Sequence, residues 1–445
     1  MPARKNARIL ATMLAEAPSV KLCLSIILMI SAGLSLALDF VPPSSEWLWC
    51  RLGFCRADQL HTAPSYKPAQ PALTDLRLAL RLDSANPYRW AEYGIALDER
   101  GDHPAAQPFF NRATELGAAT PPVLMVAANH YLMDNQPDRA LALGRRVLSL
   151  TADFDELLFA TYGQLGRPLP DLLGTAIPAA RRPAVAWLKW LLPRAPEPDL
   201  VATWRWLRER GFADDAVAGS LVQELWNRHS CRQGAQLWAE WLGPQRGDYL
   251  RPELLSNRRF AALPRPSPFD WTIEPAPSLV IARPDSRQWT FDGSKNPSYG
   301  LESSSDPSKN LSSGPQSTSA ASQNLPYGLQ LTFDGSENLS YGGLRQMAAV
   351  APGLYRFSAV VESDRLTTNQ GLSFHIFDSA VPARLNAATP IVLGTTPRHT
   401  VEVVFRVSAP VCGVVVQLER HPSEKFDNKI AGSFTIHEVS LRPLP

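Results

Sequence analysis

The sequence predicts a multidomain chain, α then β: an N-terminal membrane helix, a set of α-helical repeats and a C-terminal antiparallel β-sandwich. Three observations predict it. An uncharged, mostly apolar run of seventeen residues occupies Leu22–Leu38. Residues 71–250 place apolar side chains at helical spacing, in part with a 34-residue phase. From about residue 264 apolar residues alternate, Thr and Val rise, and Gly, Asn and Pro mark turns, so the helical and β parts meet near 251–268. A length of 445 residues suits two or three domains, and a hydrophobic content of 45% suffices for packed cores. A net charge of +2 gives no general field for nucleic acid, and no nucleic-acid partner is expected.

The elements follow in order. Arg4, Lys5, Arg8 and Lys21 precede the apolar run and only Glu16 opposes them, so 1–21 is assigned to the cytoplasm and 22–41 to a signal anchor, with the rest exported. Ser35-Leu36-Ala37 also fits a signal-peptide cleavage site, an alternative that exports the same residues. Either way the chain is expected at an inner membrane, facing the periplasm or exterior. Residues 42–70 read as a linker. Cys50 and Cys55 lie there and can close a disulfide in an oxidising compartment, whereas Cys231 and Cys412 fall in segments of different type and read as buried thiols.

Within 71–250, Trp90, Tyr93, Gly94 and Leu97 are followed by Ala106, Phe110 and Ala113. A shift of 34 sets Pro87 on Pro121, Gly94 on Ala128, Leu97 on Tyr131, Ala106 on Ala140 and Leu116 on Leu150. Small residues recur where paired helices must approach closely. The pattern resembles the tetratricopeptide repeat, which implies stacked helix pairs whose surface docks protein partners. A lone second helix precedes it, with Ala72, Leu76 and Ala79 in phase, and the register is lost after about Leu165. Helices continue near 183–192, 199–210, 214–228 and 231–242, and their many tryptophans are expected between helices rather than on a ligand surface.

The β region carries one phrase twice, as TFDGSKNPSYG at 290–300 and TFDGSENLSYG at 332–342. Asn296, Asn310, Asn324 and Asn338 stand 14 apart, so the phrases are three units of a tandem duplication apart. The middle units, 302–324, hold nine serines and too few apolar residues to repay their ordering entropy, so they are expected to form an exposed insertion. The second copy is expected to belong to the fold, because Leu329, Leu331 and Phe333 alternate on one face.

Further segments complete the sandwich: PFDW, PGLYRF, LTTNQG, KFDNKIAG and a last strand ending in VSL. Together they resemble the jelly roll of carbohydrate-binding modules. The arrangement over 71–445 is similar to a bacterial family of membrane-anchored tetratricopeptide-like proteins with such a C-terminal domain, and that resemblance implies a place in cell-envelope and exopolysaccharide machinery. Related modules hold Ca²⁺; this chain departs from their pattern with Arg258, Arg259 and His437. No cofactor or metal is expected here.

Sugar binding needs an aromatic face for C–H groups and polar side chains for hydroxyls. Candidates are Trp271, Thr367, Thr368, Asn369, Gln370, Asp427 and Asn428, with Trp289, Tyr341 and Tyr355 as further aromatics. Tyr355 alternates with Phe357 and suits a core equally well, and Asp427-Asn428 also suits a turn. No G-x-S-x-G, H-E-x-x-H or P-loop pattern occurs, and His375 shares a strand face with Phe377 as an ordinary surface or packed residue. The expected function is a non-catalytic envelope protein that docks proteins and binds polysaccharide. The alternative is a polysaccharide-modifying enzyme with acids drawn from distant strands of the sandwich.

Overall fold

A computed structural model describes residues 73–283, 286–292, 328–425 and 428–445, with 286–292 described by backbone only. The expected anchor at 22–41, the linker, the Cys50–Cys55 pair, the insertion 302–324 and Asp427 all lie outside these residues. Among the described residues no helix is long and apolar enough to cross a membrane. Eleven helices precede eleven strands there, and the chain divides into two compact units after Pro178.

The first unit contains α1 Leu73–Leu82, α2 Pro87–Asp98, α3 His103–Leu116, α4 Pro121–Met133, α5 Pro137–Leu150, α6 Asp155–Gln164 and α7 Leu169–Thr175. Its helix boundaries keep the 34-residue phase: α2, α4 and α6 start at 87, 121 and 155, and α1, α3 and α5 end at 82, 116 and 150. Proline opens α2, α4 and α5, where a missing N–H costs nothing. Asn86 and Asp102 cap α2 and α3 through side-chain oxygens. A Cβ on Gly94 would stand 3.0 Å from the Phe110 ring, so glycine permits the α2–α3 contact. The phase holds through α6, which packs its Tyr162 hydroxyl over Gly144 of α5, 2.2 Å from where a Cβ would sit.

The second unit begins with α8 Arg181–Leu191, α9 Glu197–Glu209, α10 Asp215–Asn227 and α11 Cys231–Leu242. Trp187, Trp204 and Trp238 are fully buried, and Trp204 of α9 meets Trp241 of α11 at 5.4 Å, as the interhelical reading expects. The strands are β1 Thr272–Ile273, β2 Leu279–Arg283, β3 Ser286–Asp292, β4 Leu329–Asp334, β5 Tyr341–Ala349, β6 Gly353–Leu366, β7 Ser373–Asp378, β8 Asn386–Ala388, β9 Gly394–Val407, β10 Gly413–Arg420 and β11 Ala431–Pro443. They form two antiparallel sheets, ordered β1-β5-β10-β7-β8 and β3-β2-β4-β11-β6-β9. Between them lies one apolar core that includes Leu329, Leu331, Phe357, Phe374, Ile376, Val416 and Leu441.

The duplicated phrase acquires a structural reading. Its second copy enters β4, whose Leu329, Leu331 and Phe333 are buried as expected. The described part of its first copy, Thr290–Asp292, lies in β3, and β3 and β4 flank the same strand: Ile281 faces Phe291 on one side and Leu331 on the other. One phrase thus supplies both an interior strand and the edge strand of the same sheet.

Helices of this unit pack on one end of the five-stranded sheet. A Cβ on Gly413 would meet the Trp226 ring at 2.1 Å, and Trp226 meets Phe269 edge-on at 5.5 Å. Cys231 at the start of α11 forms a disulfide with Cys412, just before β10, across 181 residues of sequence. This corrects the expectation of two buried thiols: the sequence separation hid a pairing that the packing of α11 against the sheet creates.

Candidate functional site

The outer face of the five-stranded sheet divides in two. Along β10 the outward positions are Gly413, Val415, Gln417 and Glu419. Gly413 lies under Trp226 and Val415 is buried, whereas Gln417 and Glu419 are partly exposed. On β7, Phe374 and Ile376 point to the core, and Ser373, His375 and Phe377 are partly exposed. The register sets Arg345 opposite Gln417, Gln417 opposite His375, and His375 opposite Ala388. Directly opposed residues share a face, so a polar row crosses three strands, with Ala388 of the fourth at its end and Phe377 beside it.

Contacts orient this row. His375 Nε2 lies 2.6 Å from Asn386 Oδ1, and its Nδ1 lies 3.1 Å from the Glu419 carboxylate. His421 approaches the other Glu419 oxygen at 3.2 Å. The Phe377 ring centroid stands 5.1 Å from that of His375. Arg345 bridges to Glu274. Glycine clears space: a Cβ on Gly342 would come within 2.4 Å of the Gln417 amide.

Three loops rim the open end. Because β10 is antiparallel to both β5 and β7, the loops before β5, before β7 and after β10 gather at one end of the sheet. Arg420 ties them together. It is 1% exposed, and its Nε donates to Gln370 O at 3.0 Å. Its terminal nitrogens donate to Leu339 O and, at 3.3 Å each, to Asn338 Oδ1, Thr368 Oγ1 and Asn428 O. These are all neutral acceptors, and burial lowers the guanidinium pKa below its usual value. Asn338, from the repeated phrase, also donates to Ser423 O at 2.8 Å and accepts from Ser423 N at 2.9 Å.

Five of the seven candidate residues meet in this rim. Thr367 Oγ1 donates to Lys429 O and accepts from Ala431 N. Thr368 is buried, and its hydroxyl also accepts from Gln370 N. Asn369 is exposed and its Oδ1 accepts from the Ser423 hydroxyl; Gln370 and Asn428 serve Arg420 through their carbonyls. Trp271 is elsewhere: it is 1% exposed, packed in the sandwich core against Phe260 at 5.1 Å, and offers no ring face to a ligand. Tyr341 and Tyr355 are also buried, and the Trp289 side chain lies outside the described atoms. Arg420, Asn338, Ser423, Arg345, Gln417, Glu419 and Phe377 went unselected in sequence. The available signal was Gln417 and Glu419 breaking the valine-rich strand at alternate positions.

At the start of the sandwich, Arg258 donates to Asp248 at 2.7 Å and to Glu438, and stands 3.8 Å from Glu253, which also accepts from Arg442. The carboxylates that would attract Ca²⁺ are already neutralised by guanidinium groups, and these residues do not fit the ion. Nearby Asp270 is buried, and desolvation raises its pKa to about 6 against hydrogen bonds from Trp271 N and Arg265 N.

No family model matches the chain, and no curated protein matches it. Solved structures with partial similarity include YrrB, a TPR protein with an unusual peptide-binding site, at 13% identity over 41% of this chain and 96% of that one, TM-score 0.21. They also include a CBM4 structure, at 13% identity over 27% of this chain and 74% of that one, TM-score 0.22. A third is TmCBM61 in complex with β-1,4-galactotriose, at 13% identity over 28% and 74%, TM-score 0.20.

Proposed function

We propose that this chain is a non-catalytic envelope protein that holds polysaccharide on the open face of its five-stranded sheet and docks a protein partner through its helical repeats. The observation that carries the reading is the row Arg345, Gln417 and His375 beside Phe377. It combines an apolar ring with amide, guanidinium and imidazole groups, as recognition of a sugar's C–H and hydroxyl surfaces requires. The rim held by Arg420 exposes Asn369 at the end of the same sheet, where it can add a polar contact. A binding role is supported further because the face's carboxylates, Glu419 and Glu274, already have cationic or imidazole partners.

The Cys231–Cys412 disulfide supports an oxidising compartment, and with it the exported topology inferred from the N-terminal charges. We place the function in exopolysaccharide assembly or export. Affinity electrophoresis of the chain from Leu73 onward, in gels carrying the host's extracellular polysaccharide, tests the reading. Retardation is the expected outcome. Release of shortened saccharide, abolished by Glu419→Gln, would instead identify the polysaccharide-modifying enzyme.

A further inference from the structure

The first helical unit contains a side-chain cluster unrelated to the sandwich. Asp98 is the last residue of α2, His103 the first of α3, and His130 lies in the last turn of α4. Gly101, at φ +80°, shapes the turn that brings the first two together. His103 Nδ1 lies 3.0 Å from Asp98 Oδ1, while His130 Nδ1 lies 3.0 Å from the same oxygen and 2.8 Å from Oδ2. One potential ligand atom from each residue lies within 4.8 Å of the other two.

We propose that Asp98, His103 and His130 form a site for a divalent metal ion of the zinc class. Three arguments support it. The donor set, two imidazoles and one carboxylate, suits zinc and its neighbours rather than Ca²⁺ or Mg²⁺. The spacing also fits: bonds of about 2.0–2.1 Å to a tetrahedral ion put neighbouring donors roughly 3.3 Å apart, so each imidazole nitrogen need move from the Asp98 oxygens by only a few tenths of an ångström.

The third argument is charge. The Asp98 side chain is 5% exposed, and among the described contacts its carboxylate meets only the two imidazoles. A carboxylate buried among imidazole nitrogens is a place where the charge of a dication is well matched.

The surroundings suit a resident ion. His130 is 1% exposed and stacks on Phe110 at 4.4 Å, which fixes its ring plane. Its Nε2 has no hydrogen-bond partner, so Nδ1 is its working nitrogen. His103 is 35% exposed on its side chain, which gives an ion a path in and leaves a coordination position open to water or to a donor from a docked partner. An ion here would clamp α2, α3 and α4, the helices that join successive repeats.

Zn²⁺ titration of the untagged, metal-stripped full chain by calorimetry tests the proposal, with Co²⁺ absorption as a readout of coordination. The expected result is saturable uptake that includes one site lost in His103→Ala. That substitution is chosen because the ring is partly exposed, so circular dichroism should be unchanged. The affinity of this site should fall by roughly a hundredfold or more, as loss of a direct ligand must exceed the effect of losing an outer-shell partner. Asp98→Asn should remove the same site. A folded chain without saturable uptake, or His103→Ala binding as many ions as tightly as the parent, would overturn the proposal and leave the cluster a hydrogen-bonded knot.

Discussion

Arg420 shows what one residue contributes here. It satisfies acceptors from three separate loops, and its burial depends on their closing around it. Arg420→Met keeps much of the side-chain volume but strips five donors from buried or half-buried acceptors. It should cost about 1–3 kcal/mol in urea unfolding and weaken polysaccharide binding through the loosened rim. Nothing in sequence marks this arginine, because its partners are mainly backbone carbonyls of residues distant along the chain. Alternating core positions such as Leu329 and Leu331 were legible, since a strand's period of two is a local property. Trp271 misled for a physical reason, because a large aromatic suits a sugar face and a core equally well.

Asp270 gives a pH dependence at the same scale. Its folded pKa, about 6, stands above its ordinary value of 3.8 because burial disfavours the charged form. The folded state therefore holds the proton more tightly, so this contribution is full below about pH 4 and is lost as pH rises through about 6. Asp270→Asn should remove the trend. The parent-minus-variant unfolding free energy should fall by on the order of 2–3 kcal/mol between pH 4 and pH 7. A difference that rises with pH would refute the assignment.

Among elements, the helical repeats were the most legible part, because a fixed period with proline starts and small residues at contacts sets boundaries directly. The period continues into α6, whose Tyr162 packs over Gly144 of α5. Joining the second unit's helices to the sandwich was not legible, since it relies on Gly413, Trp226 and a disulfide between distant cysteines. Cys231→Ser should lower stability by about 2–5 kcal/mol, because the bridge closes a long loop in the unfolded chain. Thermal unfolding with and without dithiothreitol checks this: the parent's midpoint should fall to that of the variant, which should itself be insensitive to reductant. The duplicated phrase shows how an element can be gained, for its β3 copy adds an edge to a sheet whose interior its β4 copy helps build.

At the scale of the molecule, two compact units carry two kinds of surface: helix pairs on one, and on the other a sheet face kept open at one end and covered at the other. The order of α before β was legible from period alone. The face was not, because Arg345, Gln417, His375 and Phe377 come from three strands whose neighbours in space are not neighbours in sequence. The most direct test is affinity electrophoresis of the chain from Leu73 onward against the host's extracellular polysaccharide, with Phe377→Ala and Gln417→Ala alongside. Retardation of the parent is expected, with at least a roughly tenfold loss of affinity in each variant, as for removing an anchor from a binding face. Retardation undiminished in both folded variants, or none in the folded parent, would contradict that binding role.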